Sequence, residues 1–335
     1  MKLLLDWYRK GHRDLPWRHT KDPYRIWVSE IMLQQTRALA VIPYYQRFLD
    51  RFPTVEALAA AAEQDVLALW AGLGYYSRAR NLRRAAQQVV AAGAFPRDYA
   101  ALRALPGIGD YTAAAIASIA FRLPHAVVDG NVLRVVARVN NDGADIASAR
   151  TRERFGGIAR LWMGRSQPGT FNQALMELGA TVCLPVNPLC GACPLSAGCF
   201  ALREGTVRQL PVKLRKTAPV ALAAVLLLVR RDDCVLLRQR DAAARRMAGF
   251  WELPTPEELT GARAGKSLGQ FRHTITHHRF TFTVRAASIR APGREFRWFS
   301  AAQLVEIPLS TTARKALHLA RFLAGSPVRN NLTKS

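Results

Sequence analysis

The chain has 335 residues, half of them apolar, and carries 48 Lys plus Arg against 24 Asp plus Glu, for a net charge of +24 and a pI near 11.0. That length can build two ordinary hydrophobic cores but hardly three. The basic excess runs through both halves and points to a polyanionic partner, because neutralising phosphates releases condensed counterions. No stretch approaches the ~20 apolar residues of a membrane span, and the apolar run in MKLLLDWYRK is too short for a signal peptide.

In chain order, the first two hundred residues read as helix after helix. YRIWVSEIMLQQT, VEALAAAAEQDVLALWAGL, SRARNLRRAAQQVVAAG and VLRVVARV carry apolar residues at three- and four-residue spacing, separated by Pro23, Pro53, Gly93, Pro106 and Pro124. Within LPGIGDYTAAAI (105–116), Gly107 and Gly109 flank one apolar residue ahead of a helical run. That pattern suits a tight helical hairpin whose backbone N–H groups can approach a phosphate. Asp129, in VVDGNVLRVVAR, stands where a helix N-cap is expected, and a helix N-terminus favours its ionised form.

Cys183, Cys190, Cys193 and Cys199 follow in the pattern C-x6-C-x2-C-x5-C. Four thiolates so close in a Pro- and Gly-rich loop supply the complete ligand set of a metal centre, and the spacing leaves tetrahedral zinc and an iron–sulfur cubane both open. Two disulfides are the bland alternative, but nothing else in the chain suggests an oxidising compartment. Residues 203–217 are polar, basic and weakly periodic, which reads as a linker. After Pro219, ALAAVLLLVRR, CVLLRQR, RFTFTVRAASI and EFRWFS read as strands, with turns at Asp232-Asp233 and Pro292-Gly293. A closing helix over 310–324 has Ser310 as its N-cap residue. Cys234, in an apolar run, reads as a buried core residue.

Together the glycine hairpin, Asp129 and the four cysteines resemble the helix-hairpin-helix DNA glycosylase superfamily, in its iron–sulfur branch, over residues 5 to 200. Endonuclease III-type members carry a Schiff-base lysine directly after the hairpin; Tyr111 stands there and cannot form an imine. LPWR (15–18), WVSEIMLQQT with Glu30, GLGYYSRARNL (72–82) and FNQALMELGA (171–180) instead look like the MutY type, which excises adenine. That resemblance implies a 4Fe–4S cluster held by the four cysteines as a structural staple, and a general acid at Glu30. It also implies a facing carboxylate at Asp129, supported by Tyr111 and Asn131. Arg13, Trp17, Arg18 and Glu177 would line the adenine pocket, with Glu177 accepting from the adenine amino group. Gln35 and Tyr75 would fill and wedge the duplex, and Gly107 and Gly109 would meet its backbone. Tyr76 reads as aromatic packing. The loop LPVNPL (184–189) is uncharged, so phosphate contacts expected there fall instead to Arg203, Arg208, Lys213, Arg215 and Lys216.

From Ala218 onward the chain resembles a MutT/Nudix-like domain, yet MAGFWELPTPEEL (247–259) lacks the Glu-rich helix that holds magnesium, so pyrophosphohydrolase activity is not expected. The resemblance implies recognition of 8-oxoguanine through His273-Thr274-Ile275-Thr276-His277, with Thr276 and His277 as contacts. Ile275 replaces an aromatic whose stacking is worth roughly 1–3 kcal/mol per base, which softens the expected discrimination.

The expectation is therefore a multi-domain protein. An all-α glycosylase domain (1–202) with its hairpin at 105–116 and iron–sulfur loop at 183–199 is followed by a basic linker (203–217), an α+β MutT/Nudix-like domain (218–325) and a disordered tail (326–335). The expected activity is monofunctional excision of adenine opposite 8-oxoguanine or guanine in double-stranded DNA, by a monomer in the bacterial cytoplasm, at the nucleoid. A bifunctional glycosylase/lyase and a non-enzymatic iron–sulfur DNA-binding module are the rivals. Tyr111 speaks against the first, and the pair Glu30 and Asp129 against the second.

Overall fold

The computed structural model describes residues 1–164, 167–214, 220–241, 244, 247–275 and 278–323. They divide into two compact units: Met1–Ala60 with Asn81–Leu214, and Ala61–Arg80 with the C-terminal part of the chain. The helical stretch 61–80 thus groups with the C-terminal unit and not with its neighbours in sequence. No helix among the described residues is long and apolar enough to cross a membrane.

The helices run α1 (Lys2–Gly11), α2 (Pro23–Leu33), α3 (Ala38–Arg51), α4 (Val55–Ala60), α5 (Glu63–Trp70), α6 (Ser77–Ala91), α7 (Tyr99–Ala104), α8 (Asp110–Ile119), α9 (Gly130–Val139), α10 (Ala149–Met163), α11 (Pro168–Thr181) and α12 (Phe200–Arg203). Helix α2 starts sharply because Asp22 accepts from the Tyr24 amide and Pro23 occupies the first turn. Every residue from Ile26 to Met32 is buried, so these two turns of the helix lie inside the unit with no wet face. Helices α7 and α8 form the expected hairpin. Gly107 takes φ 79° at its turn, and a Cβ there would sit 2.7 Å from the Asn81 Cβ, so only glycine fits. Helix α11 packs on α1, α8 and α9. Its Gly179 lies so close to α9 that a Cβ would come within 2.6 Å of the Asn131 Cβ.

Residues 203–214, expected to be a free linker, are bound to the helical unit. The Ile146 amide donates to the Val212 carbonyl, the Leu214 amide donates to Asp145, and Leu210 is buried. Their backbone supplies acceptors to a buried arginine, Arg138, and periodicity does not register backbone acceptors. The rest of the expected linker, 215–217, lies outside the described residues, as does the expected tail.

The C-terminal unit carries β1 (Val220–Arg231), β2 (Cys234–Gln239), β3 (Trp251–Glu252), β4 (Arg263–Ile275), β5 (His278–Ser288) and β6 (Phe296–Ser300), closed by α13 (Thr311–Leu319). The strand order is β3-β2-β1-β5-β4, with β6 on β2. β1 runs parallel to β5 over Val220 to Val229 and then pairs antiparallel with β2 at Arg230 and Arg231. Both faces of β1 are covered from Leu226 to Val229. Leu226 and Leu228 pack with Phe282, Val284 and α13, while Leu227 and Val229 pack with Leu236 and Leu259, which explains the continuous apolar run. Ser310 caps α13 as expected, accepting from the Ala313 amide. The helix ends at Leu319, short of the expected 324. Two readings need correction. β4 was missed because RAGKSLGQFRHTI is polar and glycine-interrupted; its exposed outer half gives little apolar alternation. Cys234 is not deep in the core: it opens β2 opposite Arg231 and Ser300 and is only half-buried.

Candidate active site

Glu30 sits on the buried α2 and is 5% exposed. Its Oε2 accepts from the Tyr111 hydroxyl at 2.7 Å, which joins α2 to the first turn of α8. Burial pushes the carboxyl up from 4.5 to about 7. The hydrogen bond from Tyr111 and the charge of Arg18 oppose that rise, and the nearby Asp129 carboxylate adds to it. Near neutral pH this group is therefore poised between acid and carboxylate. The Tyr111 hydroxyl is pushed far above its ordinary value by its own burial and by Glu30 and Asp129, so it keeps its hydrogen. The same hydroxyl lies 3.3 Å from the Met176 sulfur on α11.

Asp129 is the N-cap of α9. Its Oδ1 accepts from the Val132 amide at 2.8 Å, and its Oδ2 accepts from the Asn131 side chain at 2.9 Å. The sequence led to the expectation of a carboxyl held low by the helix N-terminus. The net direction is upward, because desolvation outweighs those hydrogen bonds and the positive charge of Arg134. The Asp129 carboxylate raises the cost of ionising Glu30, which favours Glu30 as the one proton donor of the site.

Glu177, one turn before the end of α11 and 2% exposed, receives two arginines. Arg13 donates through Nε at 2.8 Å and Nη2 at 2.7 Å, and Arg18 donates through Nη2 at 2.6 Å. Burial alone would raise its carboxyl, but the two guanidiniums win and hold it at about 2. Both oxygens are thus already engaged by cations. Trp17, buried beside them in sequence, stacks edge-on against Tyr45 with ring centroids 5.5 Å apart.

Gln35 follows α2 in a left-handed conformation, φ 61°, with its side chain exposed. In the C-terminal unit Tyr75 is also left-handed, φ 49°, and 48% exposed, with the Arg78 guanidinium 5.7 Å from its ring centroid. Tyr76 is buried, its ring centroid 4.0 Å from that of Phe250. Gly109 is the N-cap residue of α8, where its amide lies ahead of the helix. Thr276 and His277 lie outside the described residues.

The four cysteines and Arg138 line one cavity with Val135, Leu178 and Val207. Among the described residues no three His, Cys, Asp or Glu side chains converge tightly enough to hold a single ion. Arg138 is 1% exposed and donates to the Cys183 sulfur at 3.4 Å, to the Leu184 carbonyl at 2.6 Å, and to the carbonyls of Val207 and Leu210. One turn earlier, Arg134 donates to Asn131 Oδ1 at 2.8 Å, to the Gly179 carbonyl at 2.6 Å and to the Cys183 carbonyl at 2.6 Å. Arg134 therefore ties the Asp129–Asn131 pair to the start of the cysteine loop. Neither arginine was singled out from the sequence, although an i, i+4 pair of arginines on the apolar face of VLRVVARV is the signal that could have found them.

The superfamily of helix-hairpin-helix base excision DNA repair proteins (HhH-GPD) matches residues 28–160, and the NUDIX domain matches residues 224–319. The chain is 47% identical over 218 residues to the human adenine DNA glycosylase, covering 62% of this chain and 40% of that one. It is 44% identical over 230 residues to the adenine DNA glycosylase of Mycolicibacterium smegmatis, covering 63% of this chain and 77% of that one. Among solved structures, a thermostable thymine-DNA glycosylase superposes with a TM-score of 0.56 at 30% identity, over 61% of this chain and 94% of that one. The chain thus spans less than half the length of its human relative and most of its mycobacterial one. A helical DNA glycosylase fold, a NUDIX-type sheet and two substantial identities converge on one assignment: the chain belongs to the adenine DNA glycosylase family.

Proposed function

We propose that this protein excises adenine from double-stranded DNA in base excision repair, from mispairs with 8-oxoguanine or guanine, as a monofunctional glycosylase. The observation that carries the reading is the buried pair of carboxyls, Glu30 hydrogen-bonded to Tyr111 and Asp129 close enough to raise the Glu30 carboxyl further. An extruded adenine leaves slowly as an anion; protonation at N7 makes it a neutral leaving group. Glu30, near neutrality part acid and part carboxylate, supplies that proton. Asp129, fixed in place by the Val132 amide and Asn131, stabilises the cationic sugar that departure leaves. Water then completes the hydrolysis. Extrusion costs a few kcal/mol, which exposed Gln35 and Tyr75 offset by filling the duplex. Arg13, Trp17, Arg18 and Glu177 shape the base pocket. With Glu177 engaged by both arginines, the edge offered to adenine combines guanidinium donors with whatever acceptor capacity the carboxylate retains.

The four cysteines fit a 4Fe–4S cluster. They line one cavity together, and four thiolates are the donor set of a cubane with one thiolate per iron. When bound, the cluster pins the loop 183–199 to α9 and consumes no electrons in the hydrolysis. Tyr111 at the hairpin removes the imine route, so strand cleavage does not accompany base release. The C-terminal unit reads the base opposite adenine, and the protein works as a monomer on the DNA of the bacterial nucleoid.

Single-turnover cleavage of four duplexes, with adenine opposite 8-oxoguanine, guanine, cytosine or thymine, tests the reading. Adenine release should be fast for the first two and slow for the others, with no borohydride-trapped adduct. Equal rates on all four, or efficient trapping on abasic DNA, would reject it.

A further inference from the structure

The Tyr111 hydroxyl has one hydrogen and, among the described residues, meets Glu30 Oε2 at 2.7 Å and the Met176 sulfur at 3.3 Å. We infer that Met176 is a positioning residue for the proton transfer: its thioether gives Tyr111 a second acceptor, which lets Tyr111 receive a hydrogen bond from protonated Glu30.

The inference rests on the proposed adenine chemistry and follows from counting hydrogens. When Glu30 is ionised, Tyr111 donates to it and the site is satisfied. When Glu30 carries the proton needed for catalysis, its O–H donates to the phenol oxygen and the phenol hydrogen must turn away. In a buried site a hydroxyl without an acceptor is costly. The Met176 sulfur, a weak acceptor at hydrogen-bonding distance, takes that hydrogen. No proton enters or leaves Tyr111; one O–H rotates and the direction of one hydrogen bond reverses. The sulfur thus stabilises the acid form of Glu30 relative to the carboxylate.

The other groups acting on Glu30 are charges that do not depend on this rotation: Asp129 ahead of α9, which raises its carboxyl, and Arg18, which lowers it. Glu177, beside Met176 on α11, is committed to Arg13 and Arg18. Leucine has nearly the bulk of methionine and no lone pair, so Met176→Leu removes the acceptor while keeping the packing.

The test is single-turnover adenine release against pH for the wild type, Met176→Leu and Met176→Gln, each with Tyr111 and with Tyr111→Phe. In Met176→Leu only donation to Glu30 remains, so its ionised form gains. The basic limb should move down by about half a pH unit, a roughly twofold loss at neutral pH that grows to about threefold in mild alkali and vanishes in mild acid. Met176→Gln, whose carbonyl accepts, should restore the limb or raise it. With Phe at position 111 the Leu substitution should not move it. A limb that stays in place, a loss uniform across pH, or an equal displacement without the tyrosine hydroxyl would each overturn the inference. Failure of the wild type to release adenine at any pH would instead sink the proposed activity itself.

Discussion

Replacing Glu30 by Gln separates the chemistry of this site from its architecture. The amide keeps a carbonyl oxygen for the Tyr111 hydroxyl and almost the same volume, but it has no proton of suitable acidity. An ordinary carboxyl with a pKa near 4.5 is only ~0.3% protonated at pH 7, whereas one raised to about 7 is half protonated, a gain of about 150-fold in the acid form. Loss of a general acid costs roughly 10²–10⁴ in rate, so adenine release by Glu30→Gln should fall at least a hundredfold. Affinity for a non-cleavable lesion duplex should hold within a few fold. The same shift has a stability signature. An acid whose folded pKa lies above its unfolded one destabilises the fold as pH rises from 4.5 to about 7, by about 3 kcal/mol once fully ionised. The stability of Glu30→Gln relative to wild type should therefore improve between pH 4 and pH 8, read by denaturant melts at each pH. Wild-type cleavage by the variant, or a stability difference that does not change with pH, would refute the argument.

Asp129→Asn should abolish most adenine release while leaving the helical unit folded, because asparagine still caps α9 through its side-chain oxygen; circular dichroism alongside single-turnover rates checks both. Glu177→Gln removes the carboxylate that Arg13 and Arg18 share. Because the Glu177 carboxyl is lowered to about 2, its contribution to wild-type stability is present above its ordinary value of 4.5 and is lost as pH falls from there towards 2. The variant should be less stable than wild type at neutral pH, and the gap should close in acid. Cys193→Ser should yield protein lacking equimolar iron and acid-labile sulfide, with protease cleavage in loop 183–199 faster than in wild type.

Much of this protein is legible along the chain. The apolar spacing at three and four residues specifies the helices because they must bury one face, and Asp129 and Ser310 announce their caps because few side chains satisfy an N-terminal amide. The cysteine spacing marks a ligand set, and Glu30 among Trp27, Val28, Ile31 and Met32 already sits in apolar company. Other features depend on distances that no local pattern encodes. That Arg13 and Arg18 meet Glu177 follows from α11 folding back across the N-terminus, at sequence separations of 164 and 159 residues. The packing of 203–214 on Arg138 is of the same kind, as is strand β4, whose pairing with β5 overrides a polar sequence. The sequence determined which groups can titrate and which segments coil or extend. Only the tertiary structure decided which charges desolvate one another, because burial and Coulomb energy depend on separation in space, and that is what lifts Glu30 and lowers Glu177.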